Sequence, residues 1–276
     1  MQLLGAGLRT VGQVSPAAAG DLITYLLSTT WRPKRPLREN ETLRDAIPVG
    51  VQLGGTRLSA LQWGEGPVVI LAHGWNGRGT QLGAFVRPLV DRGYRVVAFD
   101  APGHGETPGH RCTMASIADS ITAVGRAVWP VHAVIGHSAG ALAAMLAQVS
   151  GLDAKRLVLL APPAGPITWV QELAEELHLG EDVKQRVIDR IEDHMARWPS
   201  IRGPEVARSM EAPMLVIHDE DDTEVDWERA RAIADAAPLA ELVTTHGLGH
   251  RRILRDADVV RRVVDFIDDT VPRSRS

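Results

Sequence analysis

The sequence has 276 residues, of which 45% are hydrophobic and 23% are charged, and its formal net charge is −4. A chain of this length and composition can bury a large apolar core, which excludes a disordered protein. Its single cysteine excludes a disulfide scaffold. Scattered basic residues argue against nucleic-acid binding, and no apolar run approaches the roughly 20 residues of a membrane span. The first residues lack the basic start of a secretion signal, so we expect a cytoplasmic location.

Residues 1–47 differ from the rest of the chain and predict an N-terminal arm. Residues 16–27 have the spacing of a short helix, whose apolar stripe comprises Ala19, Leu22, Ile23, Leu26 and Leu27. Pro33 and Pro36 interrupt any regular element after it. We expect the arm to pack on the main domain. A dimerisation arm, which would make a homodimer, and a membrane-surface arm are the alternatives.

From residue 49 onward, short β-branched runs alternate with helical patterns. Residues 49–53 and 56–62 predict a hairpin. Continuous apolar runs predict strands buried on both faces, at residues 68–71, 95–99, 132–135, 157–160, 214–217 and 241–244. Helical patterns lie between them, at residues 79–92, 113–128, 139–150, 226–236 and 253–269. This alternation predicts an α/β fold with a doubly wound, mostly parallel sheet of about eight strands, formed by residues 48–161 and 212–276.

The alternation stops once, between the sixth and seventh strands of the predicted sheet. Residues 162–211 have no strand pattern but two amphipathic helix patterns, around Trp169 and around Val187. We expect a helical cap that covers one end of the sheet, at the edge where open α/β sheets bind ligands. A purely structural insertion is the alternative.

The clearest chemical signal is the sequence Gly136-His137-Ser138-Ala139-Gly140, which follows an apolar strand and precedes an alanine-rich helix pattern. The pattern G-x-S-x-G between a strand and a helix is typical of a nucleophile held in a strained turn. The turn lifts the hydroxyl of Ser138 clear of the sheet edge, at the positive end of the helix dipole. We therefore predict that Ser138 is a catalytic nucleophile. A tight turn with no catalytic role would also select glycines.

Here the chain resembles the α/β-hydrolase superfamily, over roughly residues 48–270. His73-Gly74-Trp75 is similar to the family's oxyanion loop, and residues 100–105 are similar to its glycine-rich turn. The resemblance implies the α/β-hydrolase fold and a catalytic order of Ser, then Asp or Glu, then His. It also implies that the backbone N–H groups of Trp75 and Ala139 stabilise the oxyanion.

A serine needs a base, and the loop after the last strand offers His246 and His250. The second resembles the histidine that ends the family's G-x-G-H pattern, and two glycines let it turn back over the sheet edge. We therefore expect His250 to be the base and His246 to be structural.

The acid that orients the base is expected directly after the strand at residues 214–217. Residues 218–225 are similar to the family pattern H-G-x-x-D-x-x-V, with Asp222 as the acid and Asp219 in place of the usual glycine. Aspartate tolerates a left-handed backbone, so this change need not break the turn. Asp221 is the alternative acid. The carboxylates of this loop lack the spacing of a calcium loop, so no metal is expected.

The substrate pocket is predicted around these groups. We expect the indole of Trp75 to narrow the acyl pocket, and further lining from His73, Gly74, His137, Trp169 and Trp227. Packing roles are expected for the other tryptophans, Trp31, Trp63, Trp129 and Trp198. Arg251 and Arg252 either meet an anionic substrate or form a solvated helix turn.

These residues predict a serine hydrolase that cleaves small-molecule carboxylic esters of small to medium acyl groups without a cofactor. The same triad also serves thioesterases, acyltransferases, carbon–carbon bond hydrolases and perhydrolases, which the sequence does not separate. A superfamily subgroup of cofactor-free haloperoxidases and perhydrolases shares the His-Gly-Trp loop. A hydrolase-like receptor without turnover is the remote alternative.

Overall fold

The computed structural model describes residues 11–269. Residues 1–10 of the predicted arm and 270–276 of the predicted core lie outside the described residues. Contacts divide the chain into two compact units: a helical unit, containing residues up to 29 and 165–202, and a sheet unit, containing residues 30–164 and those from 203 onward. The proposed division into an arm (1–47), a core (48–161 and 212–276) and a cap (162–211) stays a prediction.

The sheet unit is built on an eight-stranded sheet and a separate two-stranded hairpin. The strands are β1 (Ile47–Pro48), β2 (Val51–Leu53), β3 (Thr56–Leu58), β4 (Ala60–Trp63), β5 (Val68–Ala72), β6 (Arg95–Phe99), β7 (Val131–His137), β8 (Ala154–Leu160), β9 (Met214–Asp219) and β10 (Ala240–Thr245). The main sheet has the order β1-β4-β6-β5-β7-β8-β9-β10, and β2 and β3 form the hairpin. Strand β4 pairs antiparallel with both β1 and β6, and the other pairs of the main sheet are parallel. The predicted doubly wound, mostly parallel sheet is confirmed.

Helices lie before, between and after these strands along the chain. They are α1 (Pro16–Ser28), α2 (Glu39–Thr42), α3 (Val86–Asp91), α4 (Met114–Val128), α5 (Ala139–Val149), α6 (Pro166–Glu176), α7 (Glu181–Met195), α8 (Gly203–Ala207), α9 (Glu228–Ala236), α10 (Gly249–Arg252) and α11 (Ala257–Asp268). A 3₁₀ helix, Gly79–Phe85, precedes α3. Among the described residues, no helix is long and apolar enough to cross a membrane.

The strand predicted at residues 56–62 is split in two. Residues 56–58 pair with β2 in the hairpin, whereas residues 60–63 pair with β6 in the main sheet. Ser59 lies between them, where its N–H donates to the hydroxyl of Thr107 and its carbonyl accepts from the N–H of Asp100. These bonds fix the point where the chain passes from the hairpin to the main sheet. They join residues that are distant in sequence, so the local alternation of apolar and polar residues does not predict them.

Side chains along the central strands point alternately to the two faces of the sheet, and both faces are buried. Val69 and Leu71 of β5 face one side, where their cluster includes Leu89 of α3 and Val263 of α11. Ile70 points to the opposite side and is also fully buried. Strands covered on both faces explain the continuous apolar runs in the sequence.

The helical unit combines α1 with α6 and α7. Helix α1 packs on α7, and Asp21 of α1 accepts hydrogen bonds from Arg186 at 3.0 Å and Arg190 at 2.8 Å. Of the predicted apolar stripe of α1, Ala19 and Ile23 are buried, whereas Leu22 and Leu26 are exposed. The predicted cap patterns therefore form helices, and their place over the sheet edge stays a prediction.

Candidate active site

The predicted nucleophile lies in a sharp turn between β7 and α5. Ser138 has backbone angles of φ 52° and ψ −122°, a conformation that is strained for a residue other than glycine. Its N–H donates to the carbonyl oxygen of Leu160 at 2.9 Å, which ties the turn to β8. A Cβ at Gly140 would overlap the carbonyl oxygen of Ala72, so the helix comes this close to β5 only with glycine there. The strand, turn and helix that the G-x-S-x-G pattern requires are all present.

The predicted base and acid are in contact. His250 lies in the short helix α10, and its Nδ1 donates a hydrogen bond of 2.7 Å to Oδ2 of Asp222. The Asp222 side chain is fully buried, and Oδ1 accepts from the N–H groups of Glu224 at 2.8 Å and Val225 at 3.0 Å. With its proton on Nδ1, the neutral imidazole of His250 keeps Nε2 as an acceptor. A general base for a serine hydroxyl needs this tautomer.

A second histidine holds the same carboxylate. His218 on β9 is fully buried, and its Nε2 donates to Oδ2 of Asp222 at 3.1 Å and to the carbonyl oxygen of Val225 at 2.9 Å. Burial raises the pKa of Asp222, but hydrogen bonds from His218, His250 and the Val225 N–H outweigh burial and hold that pKa well below its usual range. Asp222 is therefore an anion that orients two imidazoles. The family pattern included His218 only as its first letter, without this role.

The aspartate that replaces the pattern's glycine ties the acid loop to the base loop. Asp219 is fully buried, and its Oδ1 accepts from the N–H groups of Gly249 at 2.8 Å and Asp221 at 3.2 Å. Oδ2 accepts from the hydroxyl of Thr245 at 2.7 Å and the N–H of Leu248 at 3.0 Å. Burial raises the pKa of Asp219, but these hydrogen bonds prevail and lower it. The expected left-handed backbone is not used, because Asp219 is not among the described residues with positive φ.

Replacing Asp219 with asparagine is expected to destabilise the fold by about 1–3 kcal/mol at pH 7, because the amide nitrogen cannot accept the bonds that one carboxylate oxygen receives. The low pKa makes this stabilisation present above about pH 4, where the unfolded carboxyl ionises, and lost as pH falls further. Well above pH 4 that stabilisation is fully present, so the difference in unfolding free energy between wild type and Asp219→Asn should be the same at pH 6.5 and pH 8. Urea titrations at these two pH values measure it.

The matched control for that experiment is Asp221→Asn. Asp221 is exposed and accepts one hydrogen bond, from the N–H of Gly247 at 2.8 Å, so a smaller effect is expected. Equal destabilisation by the two variants would show that the four hydrogen bonds of Asp219 add no more stability than the single bond of Asp221.

The predicted oxyanion loop is held by a buried neutral histidine. His73 donates from Nδ1 to the carbonyl oxygen of Gly74 at 2.7 Å and accepts at Nε2 from the N–H of Ala101 at 3.0 Å. Burial lowers the pKa of His73 to about 4, so the ring is neutral at pH 7. A Cβ at Gly74 would lie 3.0 Å from Cβ of Ser138, so this loop runs directly beside Ser138.

A second neutral histidine, which sequence reasoning left without a role, holds the same loop. His104 accepts at Nε2 from the N–H of Asn76 at 3.0 Å and donates from Nδ1 to the carbonyl oxygen of Pro102 at 3.0 Å. Burial lowers the pKa of His104 to about 4. Its ring lies 4.9 Å from His73 and contacts the indole of Trp75 edge-on at 5.6 Å. The spacing of these residues in sequence gives no sign that they meet.

Residues 30–44, here called the strap, are bonded to the oxyanion loop. The N–H of Trp31 donates to Oδ1 of Asn76 at 3.1 Å, and the guanidinium of Arg78 donates to the carbonyl oxygen of Pro33. Arg78 also lies 3.6 Å from the carboxylate of Glu39, and both side chains are buried. The strap therefore fixes the loop from outside through a buried ion pair.

His137, the residue before Ser138, contacts His250. His137 donates from Nε2 to the carbonyl oxygen of His250 at 2.9 Å, and the two rings are 4.7 Å apart. Burial lowers the pKa of His137 to about 3, so its ring is neutral. Its Nδ1 is buried without a hydrogen-bond partner among residues 11–269, at 3.1 Å from where a Cβ of Gly74 would lie. His137 thus positions the backbone of His250 and presents an unused acceptor beside the oxyanion loop.

One cavity of about 1010 Å³ is lined by five of the ten predicted site residues. It is lined by Ser138 and His250, by His137, Gly74 and Trp75, and by many residues of the strap. His73 and Trp227 are not among the lining residues, whereas Trp31 and Trp63, expected to be packing residues, are.

Three predicted site residues, Ala139, Trp169 and Trp227, do not line this cavity. Ala139 is the first residue of α5, so helix geometry leaves its N–H without an intrahelical acceptor. Trp169 lies on α6 in the helical unit and is 45% exposed, and its role in the pocket stays a prediction. Trp227 precedes α9, where the guanidinium of Arg231 lies 5.5 Å from its ring. Within the described part of the chain, no three His, Cys, Asp or Glu side chains are arranged to hold a metal ion.

Segments of this chain are similar in sequence to curated proteins. The curated pimeloyl-[acyl-carrier protein] methyl ester esterase of Methylococcus capsulatus is 49% identical over 45 residues, which are 16% of this chain and 17% of that protein. The non-heme haloperoxidase of Rhodococcus erythropolis is 35% identical over 97 residues, which are 34% of this chain and 35% of that protein. The chain thus spans about a third or less of the length of these curated relatives.

The comparison with solved structures and the matches to family models cover more of the chain. A solved esterase from Pyrococcus furiosus superposes with a TM-score of 0.66 at 20% identity, over 87% of this chain and 97% of that one, which shows a shared fold. The family model described as serine aminopeptidase, S33, matches residues 66–196, and the model described as TAP-like protein matches residues 185–274. With its eight-stranded sheet and the strand–turn–helix around Ser138, the chain belongs to the α/β-hydrolase superfamily.

Proposed function

We propose that this protein hydrolyses carboxylic esters of small to medium acyl groups through an acyl-enzyme on Ser138. The observation that carries the proposal is the hydrogen bond of 2.7 Å between His250 and the buried anion of Asp222, with His250 and the strained Ser138 lining one cavity. A nucleophile, a base with a free Nε2 and a group that orients the base are the components of acyl transfer.

The reaction divides into two acyl transfers. Oγ of Ser138 attacks the ester carbonyl carbon while Nε2 of His250 takes the hydroxyl proton, and the N–H groups of Trp75 and Ala139 stabilise the oxyanion. The carbon–oxygen bond breaks, and the alcohol leaves with the proton from His250. Water then attacks the acyl-enzyme, with His250 again as the base, and releases the acid and free Ser138.

The relatives support this chemistry from several sides. Two of them are named as esterases, those of Methylococcus capsulatus and Pyrococcus furiosus, although the first covers a short segment and the second shares the fold alone. The matching family models are described as a serine aminopeptidase and a TAP-like protein. Hydrolysis is the reaction class that best fits these names and the arrangement of Ser138, His250 and Asp222.

A substrate panel tests the proposal. We expect turnover of 4-nitrophenyl esters from acetate to octanoate, with much slower turnover of acyl-CoA thioesters and of aminoacyl 4-nitroanilides. Loss of ester turnover in Ser138→Ala attributes the activity to this site. Faster cleavage of the anilides or thioesters than of the esters would contradict an ester hydrolase and favour the peptidase or thioesterase reading.

Trp75 is expected to limit the length of the acyl chain. Its indole lines the cavity beside Gly74 and is fixed edge-on by His104. In Trp75→Ala the chain length that gives the highest kcat/KM should become longer, because the variant frees volume in the pocket. Trp129→Ala is the matched control, since Trp129 is exposed and does not line the cavity. An unchanged optimal chain length in Trp75→Ala would show that the indole does not limit the acyl chain.

A second candidate reaction, perhydrolysis, is favoured by one observation. The relative from Rhodococcus erythropolis is named as a non-heme haloperoxidase, and Trp75 follows His73-Gly74 here. In this reaction hydrogen peroxide replaces water as the attacking nucleophile, so the acyl-enzyme yields a peracid. Peracid formation from an ester and hydrogen peroxide, measured against ester hydrolysis in the same sample, compares the two reactions.

A further inference from the structure

The cavity that contains Ser138 carries a charge opposite to that of the chain. The whole sequence has a formal net charge of −4. The cavity lining has seven basic and four acidic side chains, a net charge of +3; the basic ones are Lys34, Arg38, Arg44, Arg78, Arg87, Arg251 and Arg255, and the acidic ones are Glu39, Glu41, Asp45 and Glu224. A cleft with a net excess of one sign of charge raises the local concentration of ligands with the opposite charge.

Three of these cations are already neutralised by neighbours. The guanidinium of Arg78 lies 3.6 Å from Glu39, that of Arg251 lies 3.0 Å from Glu224, and that of Arg87 lies 2.8 Å from Asp91. These pairs leave less charge on the three cations for a ligand.

The other four cations keep their charge available. Within residues 11–269, no carboxylate lies in ion-pair distance of Lys34, Arg38, Arg44 or Arg255. Three come from the strap, and Arg255 follows the helix of His250 by three residues, so they reach the cavity from two separate elements. All four are exposed and able to reorient toward a bound anion.

We propose that the ester cleaved at Ser138 carries a carboxylate, which these cations bind. This inference rests on the proposed ester hydrolysis and names its substrate class: small esters with one free anionic group, such as the half-esters of dicarboxylic acids. The neutral ester function lies at Ser138 while the anion is held by the basic lining. A neutral ester of the same length binds without this attraction.

Two methyl esters with five-carbon acyl groups test the proposal, monomethyl glutarate with its carboxylate and methyl pentanoate without one. Acid release in a pH-stat gives kcat/KM for each. In wild type, we expect the ratio of kcat/KM for glutarate over pentanoate to exceed one at low salt and to fall as NaCl is raised to about 1 M, where charges are screened within about 3 Å. In Lys34→Glu/Arg255→Glu, the ratio should fall about 10-fold through KM.

The matched control is Arg57→Glu/Arg126→Glu, which makes the same change in net charge at two exposed residues outside the cavity lining. Its ratio should equal that of wild type. A ratio unchanged in the cavity variant, or lowered as much in the control, would overturn the proposal. A failure to cleave either ester would instead count against the proposed hydrolysis.

Binding gives a measurement that does not depend on turnover. Glutarate is expected to raise the Tm of wild type and of Ser138→Ala, and to raise it less in Lys34→Glu/Arg255→Glu. Pentanoate, with one carboxylate at the position of the cleaved ester, serves as the comparison. Equal shifts of Tm by glutarate in wild type and in the cavity variant would reject anion binding at these cations.

Discussion

Replacing Asp222 with asparagine is expected to lower kcat by about 10⁴-fold while the fold stays intact. The carboxylate accepts four hydrogen bonds, two from backbone N–H groups at Oδ1 and two from imidazoles at Oδ2. An amide has one acceptor oxygen, so its NH₂ group must face either the backbone donors or the two rings. If the oxygen keeps the backbone bonds, the NH₂ faces His250. The ring must then carry its proton on Nε2, where it cannot accept the proton of Ser138.

The same experiment separates Asp222 from its neighbour. Asp221 is the alternative acid in the sequence, and in the structure it is exposed and its carboxylate accepts from the backbone N–H of Gly247. Asp221→Asn should therefore keep kcat within a few fold of wild type. A kcat for Asp222→Asn close to that of wild type, or an equal loss in Asp221→Asn, would reject Asp222 as the group that orients His250.

Loss of stability in mild acid is the second large expected effect. Three buried histidines are neutral: burial lowers the pKa of His73 and His104 to about 4 and that of His137 to about 3. In the unfolded chain each ring has a pKa of about 6.5. Below that pH, the three histidines become protonated in the unfolded chain but stay neutral in the folded chain. The free energy of unfolding is therefore highest above about pH 6.5 and falls as pH drops toward 4.

The size of this effect is large for a domain. One pKa unit corresponds to about 1.4 kcal/mol, so three such rings give a slope of up to about 4 kcal/mol per pH unit between roughly pH 6 and 4.5. Typical domains have only about 5–15 kcal/mol of stability, so acid unfolding is expected between about pH 4 and 5. Urea titrations at several pH values measure the slope.

A variant of one ring tests the cause. In His104→Gln, which keeps a donor and an acceptor without the titrating ring, the free energy of unfolding should fall less steeply between pH 7 and 5. His246→Gln is the control, because His246 is 70% exposed. An identical slope in wild type and His104→Gln would show that the buried rings do not cause the acid sensitivity.

The sequence predicts local structure correctly where a pattern of residue types is imposed by the structure itself. Continuous apolar runs predicted the buried parallel strands, and G-x-S-x-G predicted the turn at Ser138, because strand burial and turn geometry impose residue types at fixed spacing. The contact between His250 and Asp222 followed from the order of the family's catalytic residues, although 28 positions separate them.

The rest depends on contacts between distant residues. The strap reaches the oxyanion loop through Arg78 and Glu39, which are far apart in sequence and show no shared pattern. His104 lies in the glycine-rich turn and His218 begins the acid pattern, but neither pattern predicts their bonds to the N–H of Asn76 and the carboxylate of Asp222. Asp219 was visible as a departure from a family pattern, but three of its four bonds are to residues 26 to 30 positions away.

Covalent labelling of Ser138 tests the central claim most directly. A fluorophosphonate reacts with a serine hydroxyl only where a base activates it, so intact-mass spectrometry of the full chain should show one adduct, which peptide mapping places on Ser138. Ser138→Ala should show none, and Asp222→Asn should label far more slowly than Asp221→Asn. An unlabelled wild type, or an adduct that persists in Ser138→Ala, would contradict a nucleophilic serine in this turn.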